Sequence, residues 1–340
     1  MRICHVITRL ILGGAQENTL LTCEGLHERG HEVTLVTGPA LGPEGELISR
    51  ARAGGYRVIS LPPLRREIHP WRDWRSYRML LGLLREIAPD VMHSHSSKAG
   101  ILARHAAARA GRMKIVHTIH GLPYHPYQSN WLNRAYVLLE RRAAGESDAI
   151  ISVADAMTRQ ALAAGVGRPE QYTTIYSGME VERFTQRPAD ADAFRASLNL
   201  PEGAVLATQV SRLAELKGHE YLIRAATELP EWLHFCFVGN GHLTGVIRRQ
   251  IDQAGLTGRF HLTGLLPPQK IPTVLHASDI LVHCSLREGL PGAAPGDAGR
   301  HPGRQLRRGR RMRGRGRNDR RAGAPSRRPA PDPNPAPTGG

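Results

Sequence analysis

Arg212 and Lys217 stand five residues apart in Ser211-Arg212-Leu213-Ala214-Glu215-Leu216-Lys217-Gly218, after an apolar run and before a helical pattern. Two cations in such a loop can clamp a diphosphate and stabilise its departure as a leaving group. Taken alone, they also read as solvated surface charges. Gly13-Gly14 sits at the same kind of junction near the start of the chain. Glycine there admits a ligand to the backbone, and free amides at a helix start suit phosphate. A plain strand-to-helix turn would look the same. Phe237-Val238-Gly239-Asn240-Gly241 is another glycine turn after an apolar run, and Glu288-Gly289-Leu290-Pro291 offers one carboxylate with glycine amides.

Histidines form a second set. His93-Ser94-His95-Ser96-Ser97-Lys98 ends one apolar run and His117-Thr118-Ile119-His120-Gly121 ends another. The first could line a cleft, or Ser96 or Ser97 could simply cap a helix. His120, just before a glycine, would sit at a cleft rim. Two His at i, i+2 with no third ligand nearby argue against a metal. Cys4, Cys23, Cys236 and Cys284 form no C-x-x-C, so neither a zinc site nor a disulfide framework is expected. Buried free thiols in a reducing cytoplasm fit this spacing.

The elements that must position these groups alternate in type. Ile3–Ile7, Glu32–Thr37, Arg57–Leu61, Val91–His95, Lys114–His120 and Ala149–Val153 read as strands separated by helical stretches. In one such stretch Trp74, Tyr77, Leu81 and Leu84 recur at spacings of three and four. The alternation implies an α/β fold with a parallel, doubly wound sheet and right-handed crossovers. Residues 184–200, with Pro188, Asp190, Asp192 and Pro201 close by, read as a linker. A second alternation follows, with strands at Val205–Ser211, Leu233–Val238, Arg259–Thr263 and Asp279–His283 and a helix over Lys217–Glu228. The expected domains are therefore 1–183, 201–291 and a tail over 292–340, with two Rossmann-like sheets facing across a cleft at their carboxyl ends.

Together these strings resemble the retaining glycosyltransferases of family 4 (group 1) with the GT-B architecture. The resemblance rests on Gly13-Gly14-Ala15-Gln16-Glu17, His95-Ser96-Ser97-Lys98-Ala99-Gly100-Ile101-Leu102, His117 to Gly121, Ser211-Arg212-Leu213 with Lys217-Gly218, Phe237 to Gly241, Ala277-Ser278-Asp279 and Glu288 to Pro291. It implies transfer of a sugar from a nucleotide-sugar donor to a sugar or lipid-linked acceptor in envelope or exopolysaccharide synthesis. The catalytic residues implied are His120, near the transferred sugar, and Glu288, the first acid of an E-x7-E motif. Gly14, Arg212, Lys217, Gly239, Gly241, Gly289 and Leu290 would bind the donor, with Arg212 and Lys217 neutralising the leaving diphosphate. Gly13, His95 and Lys98 would lie on the acceptor side. The resemblance implies no cofactor and no metal, the nucleotide-sugar being a substrate, and a site assembled by domain closure. It also suggests peripheral contact with the inner membrane face. Arg65, Arg66, Trp71 and Trp74 could touch anionic lipid there, or Trp74 could be core and the arginines plain surface. Oligomeric state stays open.

The chain departs from that pattern after Pro291. The second acid of E-x7-E falls on Gly296, and the last 49 residues hold 13 Arg, 3 Asp and no aromatic side chain. Such a segment cannot bury enough apolar surface to offset its ordering entropy, so it reads as disordered. Read one base later, codons compatible with residues 292–312 spell V-L-P-Q-A-M-L-A-G-I-P-V-V-S-Y-D-V-D-G-A-C, the continuation the family pattern calls for. A single-base slip near the Pro291 codon is therefore expected to have replaced the rest of the second domain, leaving it incomplete and Asp279–His283 without a neighbour. The arginine runs could alternatively bind RNA electrostatically, but no interleaved aromatic offers stacking, which disfavours nucleic acid as a partner. A nucleotide-sugar isomerase on the same scaffold is the other alternative, although no carboxylate cluster is visible for it. No apolar run reaches the ~18 residues of a membrane span, and Arg2 and Arg9 flank a first run that reads as a strand rather than a signal peptide.

Overall fold

The computed structural model describes residues 1–41, 45–178, 180–286 and 307–308. The first half winds through β1 (Arg2–Arg9), α1 (Gly14–Glu28), β2 (Glu32–Gly38), α2 (Ile48–Ala53), β3 (Arg57–Ser60), α3 (Pro70–Ile87), β4 (Val91–His95) and α4 (Ser97–Ala110). It continues through β5 (Lys114–Ile119), α5 (Asn130–Gly145), β6 (Ala149–Ser152), α6 (Asp155–Ala163) and β7 (Tyr172–Thr174). These seven strands form one parallel sheet in the order β3-β2-β1-β4-β5-β6-β7. The order reverses between β1 and β4, the switch point where loops diverge and leave a crevice at the carboxyl ends. β1 and β2 are buried along nearly their whole length, as strands covered on both faces must be.

The second half runs α7 (Glu182–Thr185), α8 (Ala191–Ser197), β8 (Val205–Val210), α9 (His219–Ala226), β9 (Leu233–Val238), α10 (Thr244–Gln253), β10 (Phe260–Gly264), α11 (Ile271–Ala277) and β11 (Ile280–Leu281). Its sheet has the order β10-β9-β8-β11, parallel throughout, the same winding as β3-β2-β1-β4. Arg307–Arg308, labelled β12, pairs antiparallel with β11. The expectation that Asp279–His283 is left without a neighbour is thus corrected: its strand is shorter, and its outer edge is paired. An open edge offers a row of backbone donors and acceptors that any extended segment can satisfy.

Three further readings change. Residues 184–200 are a packed segment and not a bare linker. Asp190 accepts from Thr273 Oγ1 at 2.8 Å and pairs with Lys270 at 2.5 Å, and Arg195 reaches Ala277 O and Asp279, each at 2.8 Å. These bonds tie α8 to α11. β7 joins the first sheet as an added strand, too short to show an alternation in sequence. On α3 the buried stripe is Ser76, Leu80 and Leu84, while Trp74 is 49% exposed, so Trp74 is not core. Two residues along a helix is about 200° of rotation, which turns Trp74 away from Ser76. Trp74 stacks instead on exposed Trp71 at 4.9 Å, with the Arg78 guanidinium over its ring. Among the described residues no helix is long and apolar enough to cross a membrane.

Candidate active site

The switch point of the first sheet is filled with imidazoles. His5 on β1 lies opposite His93 on β4, and His95 lies opposite Thr118 on β5. His5 Nδ1 and His95 Nε2 are 3.0 Å apart, and His95 Nδ1 and His120 Nε2 are 3.1 Å apart. His93 Nε2 meets Thr118 Oγ1 at 2.7 Å. On the other face of the sheet His117 Nδ1 meets Ser94 Oγ at 2.9 Å, and the His117 ring fills the space where a Cβ on Gly100 of α4 would stand. Burial disfavours the charged imidazolium, so His5 and His120 are lowered to about 4 and His93, His95 and His117 fall well below their ordinary value. At neutral pH the whole array is uncharged.

His5 is the residue that sequence reasoning missed. With it, His93 and His95 bring three imidazole nitrogens within 4.8 Å of one another, a donor set that a borderline transition metal accepts. The hydrogen bonds just given already engage nitrogens of all three rings, and a metal would have to displace some of them. A sequence signal did exist: in a sheet wound 2-1-4, a His on the first strand must neighbour the fourth.

Local bonds fix the start of α4. Ser96 occupies the N-cap position at φ 62°, a left-handed conformation costly for a non-glycine, and its hydroxyl does not cap its own helix. It bonds Thr8 Oγ1 at 2.7 Å instead, and Thr8 Oγ1 accepts the Ala99 N–H at 3.2 Å. The cap is therefore supplied from β1. Lys98, the second residue of α4, is half-buried and paired with Asp73 of α3 at 2.6 Å, so this cation is tied to the helix carrying Trp71 and Trp74. Gly13 caps α1 with an extended backbone, and a Cβ on it would press on Gln16 Oε1 at 2.8 Å. A Cβ on Gly14 would meet nothing within 4 Å, so that space at the helix start is open.

In the second sheet the cation loop after β8 is clamped from two sides. A Cβ on Gly239 would lie 2.1 Å from Ser211 O, and one on Gly241 would lie 2.2 Å from Leu213 O. Gly218, at φ 74°, comes as close to Cys284 O, at 2.1 Å. Only glycine tolerates such approaches, so Gly239 and Gly241 hold the loop bearing Arg212 in place, whatever else they touch. Leu216 sits at φ 65° beside Lys217, and its carbonyl accepts the Leu286 N–H at 2.9 Å. Beneath the loop, buried Gln209 donates to Lys217 O at 2.8 Å, and Ser211 Oγ meets His219 Nε2 at 3.1 Å. Arg212 and Lys217 are thus half-buried side chains on an over-determined backbone.

The two sets of carboxyl-end loops meet. A Cβ on Gly45 would touch both Leu12, from the loop after β1, and Leu265, from the loop after β10, at 2.7 and 3.1 Å. Glu215, in the cation loop, feels the charge of Arg66 from the first half. Glu288, Gly289 and Leu290 lie outside the described residues.

Two Rossmann-like sheets with their loop ends opposed define the GT-B class of glycosyltransferase folds, and solved structures agree. Those of Anabaena HepE in complex with UDP and glucose and of WaaG, a glycosyltransferase involved in lipopolysaccharide biosynthesis, superpose with TM-scores of 0.70 and 0.66. They cover 85% of this chain at 20% and 18% identity, and 75% and 76% of those chains. A glycosyl transferase 4-like domain matches residues 13–178 and the glycosyl transferases group 1 domain matches residues 190–294. The chain belongs to the group 1 glycosyltransferases. Among its relatives is an Escherichia coli UDP-Gal:alpha-D-GlcNAc-diphosphoundecaprenol alpha-1,3-galactosyltransferase, 28% identical over 86% of this chain and 75% of that protein. Another is the 2-deoxystreptamine glucosyltransferase of Streptomyces kanamyceticus, 32% identical over 45% of this chain and 40% of its own length. Several other curated relatives are matched over about half their length.

Proposed function

We propose that the chain transfers a hexose from a nucleoside-diphosphate sugar to a sugar or lipid-linked sugar acceptor in cell-envelope glycan synthesis, with retention at the anomeric carbon. The observation that carries this reading is the cation loop: Arg212 and Lys217 on a backbone locked by three glycine contacts, at the carboxyl end of a Rossmann-like sheet. In the reaction the acceptor oxygen bonds to the anomeric carbon as the bond from that carbon to the diphosphate breaks. The electron pair leaves with the diphosphate, whose departing oxygen takes the proton that the acceptor hydroxyl gives up. Charge grows on the diphosphate, and fixed cations there lower the barrier without reorganising. Open space at Gly14 leaves the start of α1 accessible to the donor phosphates. His120, neutral and at the end of β5, hydrogen-bonds the sugars. Glu288, Gly289 and Leu290 supply donor-sugar contacts by the resemblance, and Gly13, His95 and Lys98 frame the acceptor side.

No metal is needed in this scheme, since the two side chains provide the charge that a cation would. The acceptor arrives at a membrane surface on the cytoplasmic side: Ile68, Trp71 and Trp74 are exposed beside Arg65, Arg66, Arg75 and Arg78, an amphipathic surface suited to anionic headgroups. The domain match ends at residue 294, three residues beyond Pro291, near whose codon the reading frame would shift. A base slip there impairs this chain, and the nucleotide sequence across codons 285–315 tests it directly. An unambiguous read of the present frame removes the error version.

The transfer test incubates the full chain, and a frame-restored version, with UDP-hexoses and either soluble or undecaprenyl-diphosphate-linked sugar acceptors. Product is expected with the restored chain, unaffected by EDTA, and Lys217→Ala or Arg212→Ala should lower kcat about 10²–10³-fold. Conversion of donor in the absence of acceptor to an isomeric nucleotide-sugar would sink the reading.

A further inference from the structure

The chain His5–His95–His120 has a direction, and the direction decides what His120 presents. Each neutral imidazole carries one N–H and one lone pair. The two ring-to-ring contacts, at 3.0 and 3.1 Å, each need one donor and one acceptor. Two arrangements satisfy both. In the inward one, His120 Nε2–H donates to His95 Nδ1, His95 Nε2–H donates to His5 Nδ1, and the His5 proton sits on Nε2. In the outward one, His5 Nδ1–H donates to His95 Nε2, His95 Nδ1–H donates to His120 Nε2, and the remaining proton sits on His120 Nδ1.

His5 breaks the tie. It is fully buried, and among the described residues its Nε2 has no hydrogen-bond partner. The inward arrangement buries an orphan N–H there, and the outward one leaves only an unshared lone pair. Orphaned buried N–H groups are the rarer of the two. Among the described residues no charged group shares a hydrogen bond with the three rings; their ring neighbours are His93, itself bonded to Thr118, and on the far face His117.

We propose that His5 and His95 are positioning residues that lock His120 in the Nδ1–H tautomer, so that His120 offers the substrate a hydrogen-bond donor and no basic lone pair. The use made of that donor rests on the glycosyl-transfer reading; the tautomer does not. His120 Nε2 is occupied by the His95 donor, and the free nitrogen carries the proton. It therefore holds an oxygen of the sugar or the acceptor in place. It cannot accept the acceptor proton while the chain stands.

Long-range proton–nitrogen NMR of the full-length protein at pH 7, free of substrate, reads the tautomers directly, with ring signals assigned by His5→Gln, His95→Gln and His120→Gln. His120 and His95 should both show a protonated Nδ1 and an unprotonated Nε2. His5→Leu, which removes the terminal donor, should let His95 and His120 populate the reversed tautomers. His5→Gln, whose amide can still donate, should restore the outward set. A protonated Nε2 on His120 in the native chain would overturn the proposal. So would His95 and His120 tautomers that do not respond to a folded His5→Leu variant. In the frame-restored enzyme His5→Leu should lower kcat about 3–10-fold with donor KM unchanged, and His5→Gln should recover it. Absence of any transfer by that enzyme would count against the functional reading, while the NMR result would stand on its own.

Discussion

The two sheets share one winding and solve the same problem by opposite means. Each must hold polar groups still at the carboxyl end of its first strand. The first sheet does so with side chains: Thr8 caps α4, Ser96 takes a strained backbone to bond it, and a row of neutral imidazoles ties β1 to β4 and β5. The second sheet does so with missing side chains: Gly218, Gly239 and Gly241 let three backbone segments close on the cation loop. Hydrogen-bonded side chains give a neutral, directional site suited to orienting hydroxyls. Close-packed backbone gives a rigid platform for permanent charge. Under the function proposed above, the first would serve the acceptor and the second the leaving group.

The difference should show most strongly in acid. The five histidines of the first sheet stay neutral when folded, with His5 and His120 lowered to about 4, whereas their unfolded counterparts titrate near 6.5. A lowered histidine value means that the unfolded chain binds the extra protons. Stability is then complete above about pH 6.5 and is lost as pH falls toward 4. A tenfold loss of proton affinity on folding corresponds to about 1.4 kcal/mol, so the array weakens the first sheet by several kcal/mol across that window. Among the described residues the second half holds one histidine lowered as far, His219, at about 4, and two others, His234 and His261, that burial also lowers. Amide protection, taken relative to the intrinsic exchange rate at each pH, should therefore fall from pH 7 to pH 5 more in β4 and β5 than in β8 and β9. Equal loss of protection in both sheets would remove the contrast.

Much of this was legible in the residues, for a physical reason. The strands of both sheets are short apolar runs bounded by glycine or proline, and their alternation with helices leaves few topologies open. Arg212, Lys217, Gly14 and His120 could be singled out because each ends such a run. What escaped were properties that no local pattern carries. His5 looks like one polar interruption in an apolar strand until β4 is laid beside it. Trp74 shares a helical spacing with Leu81 and Leu84, yet the stripe that packs is centred on Leu80, one step round the helix. Thr8 gives no sign of being a helix cap, because the helix it caps begins 89 residues later. Gly239 and Gly241 were legible as glycines that matter, but their reason is the carbonyls of the loop opposite.

A paired substitution sharpens the comparison at its finest level. Gly241→Ala puts a methyl 2.2 Å from Leu213 O, and neither group is a flexible side-chain end, so the backbone beside Arg212 must shift. Strain of that kind costs about 2–3 kcal/mol. Thr8→Val keeps the shape but strips the Ala99 N–H of its partner, a lost cap worth about 1 kcal/mol. The stability difference is small, and the binding difference is the informative one. If the glycines serve the charge platform, Gly241→Ala weakens UDP binding about tenfold by titration calorimetry while Thr8→Val leaves it unchanged. If both variants weaken UDP equally, the two sheets are not divided as argued, and the hydroxyl cap of α4 serves the donor as much as the glycine clamp does.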